Sequence, residues 1–371
     1  MNNQLSNQSS SIQSKSFESG AIAVLLILIA LVLIVAALIA YRLYTSKGSQ
    51  GSKSIINIKG SSIKIKGSSN PNSSSSSSLN RSEINSSSSI VSIPSNQYKI
   101  ESNNSSIYYY ANITLFNNQS ISTSNTFQQE IIINSSSPLW SYISKNRFAQ
   151  NVIFFYPNNK TIIPSWLQSF NSSAAVFWIK VKGIEADSYE NVSIGFGNYT
   201  ESFFNNISTG EAPELSSIYA EYDDGNNVFN FYDNFVDQQL NRWKFDAPEA
   251  RIIADNSLSF FSNYGFNFIF TIEPFNNSVI HVLVINYSNK GPNKPYIGWF
   301  DTQTSKVKFQ SSIVSIGYYS LANPTNNRYS ALIDSGNMNP SSEFTVQYIF
   351  ITAYPPDGVM PSYRFSSIHK L

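Results

Sequence analysis

The sequence predicts an all-β protein: two β-sandwich or jelly-roll modules carried on a single N-terminal transmembrane helix and a Ser/Asn-rich linker. Three observations predict it. Residues 21–40, AIAVLLILIALVLIVAALIA, form an unbroken apolar run. A low-complexity stretch follows. Beyond Gln97 the chain turns into strand-length runs of β-branched and aromatic residues punctuated by Asn, Ser, Gly and Pro. The expected boundaries are a short tail (1–19), the transmembrane helix (20–41), the stalk (42–97), a β-sandwich (98–225) and a jelly roll (226–371).

The apolar run is long enough to cross a bilayer core of roughly 30 Å as a helix. It lacks a small-x-small cleavage pattern before YRLYTSK, so it reads as a retained anchor and makes the bilayer the first expected partner. Sidedness is contested within the sequence. Arg42, Lys47, Lys53 and Lys59 follow the run and only Lys15 precedes it, which by the positive-inside rule puts the head in the cytoplasm. Against this stand about sixteen Asn-x-Ser/Thr sequons, where composition alone gives roughly nine. Fifteen lie after the anchor: Asn72, Asn80, Asn85, Asn103, Asn104, Asn112, Asn118, Asn134, Asn159, Asn171, Asn191, Asn198, Asn206, Asn276 and Asn286. The sequon excess favours an extracellular, glycosylated head.

Residues 46–95 hold too little apolar area to offset the entropy of ordering them, and read as a stalk. The tandem INIKGSS and IKIKGSS within it could form a small hairpin, but two copies of a linker unit suit it better. About fifty such residues span roughly 40 Å.

The head's runs include SIYYYANITLF, FQQEIIINSS, AAVFWIKVKGI, SVIHVLVINYS and FTVQYIFITAY. No helical-period segment separates them, so antiparallel sandwiches are expected rather than βαβ units. Charged residues are only 13% of the chain and its net charge is +1. The polar surface is therefore mostly amide and hydroxyl, which suits an acidic or harsh exterior. No basic excess outside the stalk points to nucleic acid. The chain has no cysteine, which removes disulfides, thiolate metal sites and thiol nucleophiles.

Four motifs then follow in order. FYPNNKTIIPSWLQ contains Pro164 and Trp166, VFWIKVKGIEA contains Trp178, Lys180 and Ile184, GFGN ends at Asn198, and YDNFVDQQLNRWKF contains Asp233, Phe235, Leu240 and Trp243. From about Phe127 to Phe245 this order resembles a domain family of unknown function found in surface and secreted proteins of archaea and bacteria. The resemblance implies that the final motif opens a concanavalin-like jelly roll, a module built for binding rather than chemistry, without a cofactor. Three positions depart from the pattern: Gln168 replaces an acid, Phe196-Gly197 replaces a Tyr-Gly context, and Asn234 replaces a second Asp.

Chemistry is sparse. Only His281 and His369 exist, and His281 lies in an apolar run, so neither a Ser-His-Asp relay nor a histidine metal site is expected. GFGN precedes no helix and reads as a turn with close strand approach. Glu211 with Glu214, and Glu221 with Asp223 and Asp224, are the paired carboxylates a glycosidase would need, but the alternating E-x-D-x-x-E strand motif is absent. The run EYDDGNN has the oxygen-rich composition of a calcium loop, although a solvated hairpin turn suits it better. Of the tryptophans, Trp140, Trp166, Trp178, Trp243 and Trp299, those in the motifs read as core, and Trp299 as the one most exposed to a sugar ring. The expected ligand-binding residues are thus Trp299, Asp223 and Asp224, with no catalytic residue. The sequence points to a cell- or virion-surface module that binds a glycan or a surface protein. A pilin-like subunit of a filament or envelope, assembling with its own copies, is the rival reading.

Overall fold

The computed structural model describes residues 106–245, 251–254, 256–261, 268–288, 294–335 and 343–371. The expected transmembrane helix and stalk lie outside them, as do the sequons at Asn72, Asn80, Asn85, Asn103 and Asn104. Among the described residues no helix is long and apolar enough to cross a membrane. Four β-sheets make up nearly all of the fold, with only short helical turns between strands.

Sheet I contains β1 (Tyr109–Asn117), β3 (Val152–Phe155) and β6 (Ser188–Phe196), together with β19 (Ser362–Phe365) and β20 (His369–Lys370). Sheet II contains β2 (Thr126–Asn134), β4 (Ser165–Phe170), β5 (Ala174–Lys182) and β7 (Thr209–Glu211), which runs parallel to β4. Their facing sides enclose a first core that includes Ile113, Leu115, Val192 and Ile194 from sheet I, and Ile131, Leu167, Phe177 and Ile179 from sheet II.

Sheet III contains β8 (Phe231–Asp233), β10 (Arg251–Ala254), β11 (Ser257–Phe261), β13 (Ser278–Ser288), β16 (Gly317–Asn323) and β18 (Glu343–Ala353). Sheet IV contains β9 (Trp243–Phe245), β12 (Phe268–Thr271), β14 (Tyr296–Asp301), β15 (Lys306–Ser312) and β17 (Ser330–Asp334). Between III and IV lies a second core, with Val282, Ile297, Trp299, Ile333, Ile349 and Ile351.

The continuous apolar runs have a simple cause: their strands are buried on both faces. Successive side chains of a strand alternate sides. On β18, Ile349 and Ile351 enter the second core while Tyr348 and Phe350 face the other way. On β4 and β5, Leu167, Phe177 and Ile179 enter the first core while Trp166 and Trp178 face away. These outward aromatics meet in a third cluster with Phe229 and Tyr232, so sheets II and III pack through an aromatic layer. Phe350 stacks on Phe229 at 4.1 Å and on His281 at 4.5 Å, and Trp166 stands edge-on to Phe229, Tyr348 and Phe350.

The all-β expectation holds, but the chain does not divide cleanly near residue 225. After β18 it returns to the first sandwich, where β19 pairs antiparallel with β1, placing Ile113 opposite Phe365. The final ten residues therefore belong to the first module's sheet rather than to a jelly roll extending from 226 to 371.

Candidate functional site

The two aspartates of EYDDGNN do not sit on a solvated turn, whereas Glu221 beside them is exposed. Asp223 Oδ1 accepts from Trp166 Nε1 at 2.9 Å and from the Gly225 N–H at 3.0 Å. Its Oδ2 accepts from Tyr232 Oη at 2.5 Å and from Asn234 Nδ2 at 2.8 Å. Trp166 belongs to the first sandwich and Tyr232 to sheet III, so this carboxylate ties the two modules together. Asn234 supplies a donor that an ionised aspartate in its place would lack. Burial nevertheless pushes the Asp223 carboxyl upward, against the pull of those donors.

Asp224 is 1% exposed and neither of its oxygens has a hydrogen-bond partner. Desolvation, then the adjacent Asp223, hold its pKa well above the usual carboxylate range. It crowds Gly210 of β7, where an added Cβ would fall 2.4 Å from Asp224 Oδ1 and 2.1 Å from the Tyr222 carbonyl oxygen. Only glycine fits that position. Glu211, next in β7, is buried and raised to about 7 by desolvation, opposed by the Ser216 hydroxyl. Among the described residues no group of three or more His, Asp or Glu side chains is arranged to hold a metal. For Asp223 and Asp224 the hairpin-turn reading gives way to a structural tie between the two sandwiches.

The same reading covers the motif tryptophans. Trp178 Nε1 donates to Gln168 Oε1 at 2.7 Å, and Trp243 Nε1 to Asp233 Oδ2 at 2.7 Å. Gln168 thus supplies the acceptor that the buried Trp178 N–H needs. Trp299 corrects the sequence expectation outright: it is 0% exposed, in the second core, and donates to the Leu321 carbonyl at 3.1 Å. Period-two alternation along YIGWFD puts Trp299 on the same inward face as Ile297, whatever the turn residues around it suggest. His281 is buried as expected, with Tyr318 Oη 2.6 Å from its Nδ1 and Thr352 Oγ1 3.0 Å from its Nε2. Desolvation lowers its pKa to about 3, so it is neutral at physiological pH. His369 is exposed beside Tyr110.

The described sequons divide from other buried asparagines by position. Asn112, Asn118, Asn134, Asn159, Asn171, Asn191, Asn198, Asn206, Asn276 and Asn286 are all exposed. Asn117, Asn151 and Asn323 are buried, and none of them heads a sequon; Asn323 is followed by Pro.

One surface feature was not singled out from sequence: a cleft at one end of the first sandwich. Its larger lobe, about 670 Å³, is lined by Ser141, Ser144, Lys145, Asn146, Arg147 and Tyr199 among others. A smaller lobe of about 310 Å³ shares Tyr199 and adds Tyr108, Tyr109 and Tyr142. Buried Asn151 holds the walls: its Oδ1 accepts from the Ser144 N–H at 2.8 Å, and its Nδ2 donates to the Tyr142 and Gly197 carbonyls at 2.9 and 3.0 Å. Ser144 Oγ donates to the Tyr199 carbonyl at 2.8 Å. Phe148 and Ala149 occupy the left-handed region, with φ of 44° and 61°, where side chains with a Cβ are strained. The sequence signals were the triple tyrosine of SIYYYANIT and the basic pair of SKNR in a chain poor in cations.

Residues 149–211 match the family described as a domain of unknown function (DUF2341). That match spans Trp166, Gln168, Trp178 and GFGN, and stops before Asp233. A relative, "Uncharacterized protein 562" of Sulfolobus islandicus rod-shaped virus 1, is 29% identical over 198 residues, covering 50% of this chain and 31% of its own. The chain therefore spans about a third of that relative's length. Among solved structures, a β-sandwich carbohydrate-binding module of promiscuous specificity is 12% identical, covering 69% of this chain and 98% of its own, with a TM-score of 0.25. Xylanase10C from Cellvibrio japonicus in complex with xylopentaose is 13% identical over 30% of this chain and 27% of its own, with a TM-score of 0.22. Neither superposition is close enough to bear on what this chain does.

Proposed function

We propose that the chain is a membrane-anchored, N-glycosylated surface protein of a cell or virion, whose sandwich head binds a glycan or a surface partner. The observation that carries the reading is the partition of asparagines, with every described sequon exposed and the buried asparagines outside sequons. Acceptors must be reachable to be modified, and reachable acceptors have a use only on the side of the membrane that meets the glycosylation machinery. Binding is favoured over catalysis because the histidine in the strands and the best-placed aspartate are held by structural hydrogen bonds. His281 sits between Tyr318 and Thr352, and Asp223 is saturated by four donors. The viral source of the relative makes a virion surface the first place to look. It also favours a second reading, a structural subunit of an envelope or filament assembled from copies of this chain.

Protease shaving of intact cells or virions, with mass spectrometry of the intact chain, tests the reading. The expected result is loss of the head and a mass exceeding the polypeptide by several glycans. A head protected until permeabilisation, with bare polypeptide mass, would overturn it.

A further inference from the structure

The cleft at the end of the first sandwich combines two kinds of contact surface. Tyr199 and Tyr108 are exposed aromatic residues, at 54% and 44%. Flat apolar faces of this kind stack on the C–H faces of a pyranose ring. Lys145 and Arg147 bring two cations to the same wall. Lys145 Nζ is held by the Trp140 carbonyl and lies 5.2 Å above the Trp140 ring, and Arg147 is held by the Thr200 carbonyl. Those contacts orient the charges without neutralising them.

No carboxylate lines either lobe, and the ion pair found among the described residues, Lys308 with Asp301 at 3.1 Å, lies in the other sandwich. Glu201 stands behind the wall of the smaller lobe, where its Oε2 accepts from the Asn198 N–H at 3.0 Å. The polar side chains between the cations and the rings are Ser141, Ser144, Asn146 and Thr200, the neutral donors and acceptors that sugar hydroxyls use. A cavity of the same 670 Å³ beside β19 contains one cation, Arg364, already laid over the Phe116 ring. The strained backbone at Phe148 and Ala149 adjoins the two-cation cleft, where Asn151 fixes both walls in advance of any ligand.

We propose that this cleft binds an acidic saccharide, with Lys145 and Arg147 pairing to its carboxylate or sulfate and Tyr199 and Tyr108 stacking on its rings. The inference rests on reading the head as a glycan binder and names the class of glycan and the place. Asn198 lines the smaller lobe and heads a sequon, so a sugar attached there would lie over the site.

The test uses the full chain carrying Asn198→Gln, and measures by calorimetry the binding of three tetrasaccharides: one of a hexuronic acid, one of a sulfated hexose and one of a neutral hexose. An acidic probe is expected to bind about tenfold or more tightly than the neutral one. The two acidic arms tell carboxylate from sulfate recognition. Lys145→Gln with Arg147→Gln should weaken the acidic probe by about tenfold and flatten its salt dependence, whereas Lys145→Arg with Arg147→Lys should preserve binding at an unchanged melting temperature. Equal binding of neutral and acidic probes, or acidic binding that survives the double Gln variant in a folded protein, overturns the assignment and leaves the surface-binder reading standing. If the chain binds none of the three yet adheres to other glycans on an array, the cleft assignment alone falls. If it binds nothing on the array either, both fall.

Discussion

Two adjacent aspartates in one turn meet opposite fates, decided by the donors that reach them. Asp223 collects four donors from three segments; Asp224 collects none. Asp223→Ala therefore leaves Trp166, Tyr232 and Asn234 without their acceptor, and we expect a loss of about 3–5 kcal/mol in chemical denaturation. Asp224→Asn has the opposite sign. It replaces a buried unpartnered carboxyl, raised by desolvation, by a neutral amide, so the variant should gain about 1 kcal/mol or more at pH 7, and the gain should shrink as pH falls. The sequence makes this turn legible as a cluster of oxygen ligands, but not as buried, because the groups that bury it come from Trp166 and Tyr232, far apart in the chain. Trp299 fails to read for a different reason. Its neighbours Gly298 and Asp301 resemble a turn, whereas the register sets it opposite Ala331 on one side and Phe309 on the other, inside a strand paired at both edges.

At the scale of elements, strands were the most legible feature, because burial on one or both faces leaves a period in the residues themselves. The aromatic layer was half legible. Trp166 and Trp178 read correctly as core, but nothing in their runs says that their core is the junction of two sandwiches. Phe350 is the centre of that junction, within 4.1–5.7 Å of Phe229, His281, Trp166 and Trp178. With so much shared surface we expect the two sandwiches to melt as one transition. Phe350→Ala should cost about 3–5 kcal/mol and split the calorimetric peak in two. The tyrosine-cation cleft was illegible because it draws on the start of β1, the 141–147 loop and the 197–200 turn, each unremarkable alone.

For the whole molecule, the buried carboxyls act in concert. Glu211 is raised to about 7, and Asp223, Asp224, Glu130 and Asp233 are all raised, each chiefly by desolvation. A carboxyl whose folded pKa exceeds its unfolded value contributes stability that is complete below the unfolded value, near 4.5 for Glu211, and is lost as pH rises through the folded one. Glu211 alone then accounts for about 3 kcal/mol lost between pH 4.5 and 7. We expect the melting temperature to peak on the acid side and fall toward neutrality, and Glu211→Gln to flatten that fall. A profile rising with pH would contradict the assignment. The sparsely charged surface, read from composition as suited to an acidic exterior, is matched by an interior with the same preference.

The return of β19 to β1 also sets an order of events at the ribosome. Asn112 and Ser366, 254 positions apart, are hydrogen-bonded neighbours. At synthesis rates of about 5–20 residues per second, the outer edge of β1 waits roughly 10–50 s for its partner. During that interval the first sandwich is an open-edged sheet, the kind that pairs with whatever strand is at hand. The second sandwich, between them in the chain, is born while the first is still incomplete. The nascent head is therefore exposed to mispairing until residues 362–371 emerge, and nascent chains stalled just before Ser362 should be more aggregation-prone than chains that include β19 and β20.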